Sequence, residues 1–264
     1  MTAFPFFEPG NDPGPDFAAL LQRTGHTPPV VDIAPGERHL VTHGTTCVAV
    51  RYADGVVMAG DRRATSGNWI SHRSIEKVFP ADRHSGVAIA GAAGPAVEMV
   101  HLFQLQLEHY EKVEGAQLSL EGKANQLSMM VRNHLPAAMA GMAVVPLFAG
   151  YDRGRGLGRL FQYDVTGGRY EEHDHAATGS GMMHASTVVK LGWRADLGRD
   201  AVVDLVLRAL WEAADEDSAT GGPDLVRRIF PVVATITAEG FTRLDDAELE
   251  TRARSLIDSL DAGR

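Results

Sequence analysis

The sequence predicts an α+β protein in which two packed β-sheets carry helices on their outer faces. Its 264 residues are 44% hydrophobic and 22% charged, which suits one α/β domain with an ample apolar core. Strand-like segments come in groups along the chain, and pairs of helical segments separate these groups. Such an arrangement packs as layers, because each sheet must bury its apolar faces.

The first group of strands begins at residue 45. Thr45–Tyr52 alternates along the chain and is rich in β-branched residues, which favours a half-buried strand. Asp54-Gly55 is a hairpin signal, and Val56–Ala59 returns as the second strand. Ser85–Ala90 has the composition of a further strand.

Two helical segments follow these strands. Pro95 marks a helix start, and apolar residues continue at helical spacing from Val97 towards Lys112. Ser119–His134 has the same kind of spacing. The next seventeen residues, Leu135–Tyr151, lack charge, but they contain two prolines and lie at the short limit for crossing a membrane. A helix end followed by a buried strand explains them better.

The remaining segments continue the alternation between strands and helices. Gly167-Gly168 is a turn between two strands. The closing helix has an acidic start, which suits the helix dipole. In chain order the segments are strands Val144–Ala149 and Leu157–Val165, helices Met182–Leu191 and Asp200–Ala214, a hairpin of Val232–Thr237 and Phe241–Arg243, and helix Leu244–Leu260.

Composition and charge limit the possible partners. The net charge is −9 without a basic stripe, so nucleic acid and anionic membranes are poor candidates. The single cysteine, Cys47, excludes an intrachain disulfide and is consistent with a reducing cytoplasm, where we expect the protein to act. We interpret Cys47 as a small buried apolar residue. No secretory signal is evident near the first residue.

The composition shifts at residues 44 and 45. Residues 1–44 hold seven of the thirteen prolines and are poorly suited to form a packed unit, although Phe17–Leu21 could form a short docking helix. The junction reads His43-Gly44-Thr45-Thr46-Cys47. If the bond after Gly44 is cut, Thr45 carries a hydroxyl and an α-amine whose ordinary pKa is ~7.7–8.0. Such an amine activates the neighbouring hydroxyl as a nucleophile.

Several motifs downstream stand in a specific order. Asp61 follows Thr45 by sixteen residues, and Lys77 follows Asp61 by another sixteen. The other motifs are Ile89-Ala90-Gly91-Ala92-Ala93-Gly94, Glu108-His109-Tyr110-Glu111-Lys112 and Asp217-Ser218-Ala219-Thr220-Gly221-Gly222-Pro223-Asp224. From Thr45 to about Leu260 the chain thus resembles the β-subunits of the proteasome core particle, most closely the actinobacterial type.

The resemblance implies the four-layer αββα fold of N-terminal-nucleophile hydrolases and a particular division of the chain. Residues 1–44 would be a propeptide that is removed by self-cleavage between Gly44 and Thr45, and residues 45–264 would be the catalytic domain. Gly44 has no side chain, so its carbonyl can approach the Thr45 hydroxyl and the turn can adopt strained dihedrals.

The resemblance also implies roles for seven residues. Thr45 would be the nucleophile. The positive charge of Lys77 would lower the pKa of a nearby amine or hydroxyl, and Asp61 would hold Lys77 oriented and charged. The Gly91 backbone N–H would bind the oxyanion. Ser180 and Asp217 would support the Thr45 amine, together with Thr220, at a position that is often serine in relatives.

The expected substrate is an extended peptide that pairs with strand edges. Thr65 matches a position that makes such backbone bonds. The pocket for the side chain before the cut would be lined by Ala64, Ile75, Phe79, Ile89 and Ala93. This lining is apolar and carries no charge, which predicts a preference for large hydrophobic residues, although the Phe79 ring could turn into the core.

The resemblance implies partners but no cofactor and no metal. We expect α-subunits and other β-subunits in an α7β7β7α7 barrel, a ring-shaped ATPase or other activator, and unfolded protein as substrate. His173-Asp174-His175 with His184 suits a solvated turn better than a metal site.

Two alternatives to a threonine peptidase of the proteasome stay open. One is a non-catalytic β-subunit that only builds the ring, although such subunits usually lack the threonine, the lysine or a cleavable junction. The other is a two-ring, ATPase-dependent bacterial threonine protease. Subunits of that enzyme are shorter, and they lack both a 44-residue leader and a long closing helix.

Overall fold

Two five-stranded antiparallel sheets form the centre of the protein. The structure is a computed structural model, and it describes residue 7, residues 12–25 and residues 44–262. The strands are β1 (Thr46–Tyr52), β2 (Gly55–Gly60), β3 (Ala64–Ser66), β4 (Trp69–His72), β5 (Val78–Asp82), β6 (Ser85–Gly91), β7 (Val144–Asp152), β8 (Leu157–Tyr163), β9 (Arg169–Glu172), β10 (His175–Gly179), β11 (Val232–Thr237) and β12 (Gly240–Arg243). The helices are α1 (Phe17–Thr24), α2 (Ala93–Glu114), α3 (Leu120–Asn133), α4 (Leu135–Met139), α5 (Met182–Gly192), α6 (Arg199–Glu216) and α7 (Asp246–Ala262).

The order of strands differs between the two sheets. The first sheet runs β10-β1-β2-β11-β12, so its central strands come from opposite ends of the chain. The second sheet runs β5-β6-β7-β8-β9 in simple succession. Strands β3 and β4, which lie between β2 and β5 in the sequence, form a separate small hairpin.

Side chains of β1 alternate between two cores. Val48 and Val50 pack against helices α5 and α6 on the outer face of the first sheet. Cys47 and Ala49 point the other way, into an apolar layer that the first sheet shares with the second. Because successive side chains on a strand face opposite sides, both faces of this sheet are buried.

The second sheet is arranged in the same way. Leu147 faces the first sheet, whereas its neighbour Phe148 packs against helices α2 and α3. The Phe148 ring lies edge-on to Phe103 of α2 at 5.8 Å and stacks on Phe161 at 6.0 Å. Helices therefore cover both outer faces, and the αββα order expected from the resemblance is confirmed.

Most of the segments predicted from periodicity are present. The hairpin of β1 and β2, the two helix pairs and the last hairpin lie within a few residues of the predicted bounds. Leu135–Tyr151 is a short helix followed by a strand, as predicted. None of the helices in the described ranges has the length and hydrophobicity that crossing a membrane requires.

Strands β3, β4, β5 and β10 were not predicted, and the first three were missed for different reasons. β5 contains Pro80, next to a register shift in its pairing with β6, and proline argues against a strand in a sequence pattern. β3 has only three residues. β4 is exposed along its whole length and therefore shows no alternation of apolar residues.

The short helix α1 packs on the outside of α2. Asp16 caps it by accepting a hydrogen bond from the Ala19 N–H at 3.0 Å, and Gly25 ends it with φ of 72°. Phe17 is buried, and its ring lies 5.8 Å from the ring of His109. The predicted docking helix is confirmed and extends to Thr24.

We expect Phe148→Ala to reduce the free energy of unfolding by about 3–5 kcal/mol, because it leaves a cavity between the second sheet and its helices. Urea unfolding followed by circular dichroism measures the change. Val226→Ala is the matched control, since Val226 is 91% exposed and should change stability by less than ~0.5 kcal/mol. Equal effects of the two substitutions would contradict this description of the core.

Candidate active site

Asp61 and Lys77 form a buried ion pair at the centre of the site. Asp61 directly follows β2, and Lys77 directly precedes β5. Lys77 Nζ lies 2.6 Å from Asp61 Oδ1, and the two side chains are 5% and 0% exposed. The pair is therefore no ordinary surface ion pair, and both charges depend on internal partners.

Backbone N–H groups complete the environment of Asp61. Its Oδ1 accepts a hydrogen bond from the Thr46 N–H at 2.8 Å. Its Oδ2 accepts from the N–H groups of Arg63 at 2.8 Å and Gly221 at 2.9 Å. Together with Lys77, four donors stabilise the ionised carboxylate, which explains how a fully buried aspartate is tolerated here.

The Lys77 ammonium group also points to the junction between residues 44 and 45. Nζ donates to the Arg63 carbonyl at 2.6 Å and lies 3.4 Å from the Gly44 carbonyl oxygen. An ammonium group has three donors. One binds the carboxylate, one binds a backbone carbonyl, and the third is directed at the Gly44–Thr45 peptide.

The Thr45 hydroxyl meets the same carbonyl from another side. Thr45 is 4% exposed, and its hydroxyl donates to the Gly44 carbonyl oxygen at 2.7 Å. The Gly44 N–H donates to the Thr65 hydroxyl at 3.2 Å, which places Thr65 beside the junction. The hydroxyl, the carbonyl and the ammonium group thus converge on one peptide bond.

Gly44 is required by space. A Cβ at this position would lie 1.7 Å from the Cβ of Ala219, so even alanine does not fit without a shift of the 217–224 segment. Close approach to Ala219 is therefore a sufficient reason for glycine at this position. The expectation that this turn uses strained dihedrals stays a prediction.

Ser180 and Asp217 hold the nitrogen of Thr45. The Thr45 N–H donates to the Ser180 hydroxyl at 3.3 Å, and this hydroxyl lies 2.5 Å from Asp217 Oδ2. Because the carboxylate can only accept, Ser180 donates its proton to Asp217 and presents a lone pair to the Thr45 nitrogen. Partial burial opposes ionisation, yet the hydrogen bonds from Ser180 and Thr220 hold the pKa of Asp217 below its ordinary value.

Thr220 lies behind this arrangement. Its hydroxyl donates to Asp217 Oδ2 at 2.6 Å and lies 2.5 Å from the hydroxyl of Thr46. Thr220 is completely buried, so its extra methyl group is accommodated in the core. Sequence reasoning missed Thr46, whose burial only the structure shows. Its position directly after the proposed nucleophile was the one usable signal.

Gly91 lies on the wall of the pocket that contains Thr45. Its φ is 111°, and a Cβ would lie 2.0 Å from the Ala143 carbonyl oxygen. Glycine is needed here for both conformation and space. The role of its N–H as an oxyanion donor stays a prediction.

The apolar pocket beside Thr45 contains four of the five predicted residues, Ala64, Ile75, Ile89 and Ala93. Ala96 and Val97 of α2 also line it. Phe79 is not one of the residues that line this pocket. Its side chain packs against the core between the second sheet and α2. The expected alternative, a ring turned into the core, is what the structure shows.

Besides Lys77, a second charged residue lines this pocket, contrary to the expectation of a purely apolar lining. Glu76 contributes to the wall, and its carboxylate accepts a hydrogen bond from Arg243 Nη1 at 2.6 Å. Sequence reasoning missed this pair because Arg243 lies 167 positions further along the chain. Because Arg243 compensates its charge, Glu76 does not present an unpaired carboxylate to the pocket.

Cys47 has no part in this geometry. It is completely buried between the two sheets, and burial raises the pKa of its thiol to about 12. A thiol with this pKa is not ionised at neutral pH. Among the residues that the structure describes, no three His, Cys, Asp or Glu side chains are grouped so that they could hold a metal ion.

Known proteins with similar sequences identify the family of the chain. Residues 41–226 match the family model described as "Proteasome subunit". The chain is 60% identical to the proteasome subunit beta of Acidimicrobium ferrooxidans over 256 residues, which cover 96% of this chain and 93% of that protein. It is 59% identical to the proteasome subunit beta of Streptomyces griseus over 235 residues, covering 86% and 84% of the two chains.

The family model covers well over half of the sequence, and of the site residues described above it lacks only Arg243. Both relatives come from actinobacteria and align over most of their own length. The chain therefore belongs to the proteasome subunit family, as a β-subunit of the actinobacterial core particle.

Proposed function

We propose that the chain is a catalytic β-subunit with Thr45 as its nucleophile, an N-terminal threonine endopeptidase. Residues 1–44 are then a propeptide, and residues 45–264 are the mature hydrolase. One observation carries the proposal. The buried Lys77, held by Asp61 at 2.6 Å, lies 3.4 Å from the Gly44 carbonyl oxygen, which also accepts the Thr45 hydroxyl at 2.7 Å. A subunit that only builds the ring has no need for this arrangement.

The first reaction is self-cleavage. Thr45 Oγ attacks the carbonyl carbon of Gly44, and Lys77 stabilises the negative charge that develops on the carbonyl oxygen. The C–N bond between Gly44 and Thr45 breaks, and the proton lost by the hydroxyl ends on the Thr45 nitrogen. The resulting ester is hydrolysed by water, which gives a Gly44 carboxylate and restores the hydroxyl.

The second reaction is hydrolysis of substrate by the same hydroxyl. The new amine of Thr45 takes the hydroxyl proton, directly or through a water, and later donates it to the leaving amine of the substrate. The positive charge of Lys77 lowers the pKa of a nearby amine or hydroxyl. Ser180, Asp217 and Thr220 hold the amine in place, and the Gly91 N–H binds the oxyanion of the tetrahedral intermediate.

The pocket beside Thr45 determines which residue precedes the cut. Gly44 lines this pocket in the uncut chain, so the end of the propeptide occupies the place of a substrate residue. The small side chains of Ala64 and Ala93 leave room, and Ile75 and Ile89 provide apolar contact. These features support cleavage after large hydrophobic residues, with Thr65 binding the backbone of an extended peptide.

The proposed setting is the cytoplasmic degradation of proteins. β-subunits would form heptameric rings within an α7β7β7α7 barrel, and a ring-shaped ATPase or other activator would supply unfolded protein. The names of the two relatives support assembly with further subunits, since each is a subunit of a proteasome. We propose no cofactor, because the hydroxyl, the amine and the ammonium group supply the nucleophile, the base and the charge.

We expect Thr45→Ala to retain residues 1–44 and to hydrolyse no peptide, because one hydroxyl serves both reactions. Intact mass and fluorogenic peptide hydrolysis should be measured on particles assembled with the α-subunit. Cys47→Ala is the matched control two residues away, and it should be processed and active. Normal processing of Thr45→Ala would refute the mechanism, and a full-length wild-type chain in assembled particles would indicate a structural subunit.

Gly44→Ala should slow self-cleavage by about tenfold or more, because the added Cβ collides with Ala219 and displaces the scissile carbonyl. The rate is measured by following the precursor on gels during assembly. Chains that do mature begin at Thr45 and should have normal activity. Ala219→Gly in the same chain should restore little of the rate, because the added Cβ would still lie 2.7 Å from the Cα and 2.8 Å from the carbonyl oxygen of residue 219. Self-cleavage of Gly44→Ala at the wild-type rate would contradict the steric explanation.

Ala64→Leu should lower kcat/KM by about 10-fold or more for peptides with a large residue before the cut, because the added side chain fills the pocket. Peptides with alanine at that position should be affected much less. Ser66→Ala, on the exposed end of the same strand, is the control. Equal losses on both peptides would mean that Ala64 does not shape the specificity pocket.

A further inference from the structure

The hydroxyl of Thr46 lies in a buried chain of hydrogen bonds that ends at Asp217. Thr46 is completely buried, and its Oγ1 accepts from the Gly181 N–H at 3.1 Å. The Thr46 and Thr220 hydroxyl oxygens lie 2.5 Å apart, and Thr220 lies 2.6 Å from Asp217 Oδ2. The chain therefore connects the start of α5 to the carboxylate behind Ser180.

The direction of these hydrogen bonds follows from the number of protons. The Asp217 carboxylate only accepts, so Thr220 must use its one proton to donate to it. Thr220 then has only lone pairs to offer to Thr46, and Thr46 must donate its proton to Thr220. The Gly181 N–H donates to one of the two lone pairs of the Thr46 hydroxyl oxygen. Each of the two hydroxyls is thus held in one orientation.

Gly181 supports this interpretation independently. Its φ of −86° is ordinary for any residue, so the backbone conformation does not require glycine. A Cβ here would lie 2.3 Å from Thr46 Oγ1 and 2.9 Å from Thr220 Oγ1. The absence of a side chain at residue 181 makes room for the two hydroxyls.

The backbone of Thr46 belongs to the other half of the site. Its N–H donates to Asp61 Oδ1 at 2.8 Å, next to the contact of that oxygen with Lys77. Thr46 therefore contacts Asp61 through its backbone and, through its side chain, the residues that hold Asp217. The carboxylates of Asp61 and Asp217 flank Thr45, the residue that directly precedes Thr46.

We infer that Thr46 is a positioning residue for the proposed reaction. Its hydroxyl orients Thr220 and thereby holds Asp217, which keeps Ser180 against the nitrogen of Thr45. The inference rests on the proposed function of Thr45 as nucleophile, and it adds that the orientation of the Thr45 amine depends on the hydroxyl of the next residue. Thr46 itself touches no reacting atom.

The test replaces the hydroxyl with a methyl group in particles assembled with the α-subunit. Thr46→Val should lower kcat by about tenfold and leave KM within about twofold, because the specificity pocket is not touched. Thr46→Ser keeps the hydroxyl and should restore kcat to within about threefold. Thr178→Val is the matched control, since Thr178 is buried on the neighbouring strand and its hydroxyl donates to the Val145 carbonyl instead.

The outcomes separate this inference from the proposed function. An unchanged kcat in Thr46→Val, or an equal loss in Thr178→Val, would overturn the role of Thr46. If Thr45→Ala is processed and active in the same assay, the proposed function fails instead. Should Thr46→Val not assemble, Thr46→Ala gives the same comparison with Thr46→Ser, because it adds no atom to the core.

Discussion

The geometry of the site depends on the buried carboxylate of Asp61. Its donors come from four places in the chain, which are the start of β1, the loop after β2, the residue before β5 and the segment after α6. Removing one donor would leave a charge in the interior without full compensation, which is costly. The segments that provide them must therefore meet at one point. That requirement relates the positions of Thr46, Lys77 and Gly221 to one another far more strictly than the packing of apolar side chains would.

Two aspartates flank the start of β1 in different chemical environments. Asp61 is fully buried and binds an ammonium group, so it holds a positive charge near the Gly44 carbonyl. Asp217 is half-buried and binds hydroxyl groups, which have no net charge and orient the nitrogen of Thr45. One aspartate thus controls charge, and the other controls direction. The same residue type serves both purposes because its surroundings differ.

Local sequence was sufficient to predict elements with clear periodicity, such as the hairpin of β1 and β2 and helices α2 and α6. The resemblance added the four-layer order and the pairing of Asp61 with Lys77, which periodicity does not contain. Contacts between distant segments were out of reach. The Phe79 ring turns into the core because of its packing against α2, and the charge of Glu76 is compensated by Arg243 at the far end of the chain. Strand β5 was hidden by Pro80, whose lack of an N–H is tolerated next to an irregularity in the sheet.

The position of α1 separates cleavage of the proposed propeptide from its release. Phe17 and the residues around it contact α2 on the outer face of the protein, some twenty residues before the junction at Gly44. Cutting the Gly44–Thr45 bond, as proposed, breaks none of these contacts. The severed leader would then leave by dissociation, at a rate that its own docking contacts determine. An eight-residue helix is marginal in water by itself, so we expect it to unfold when the leader dissociates.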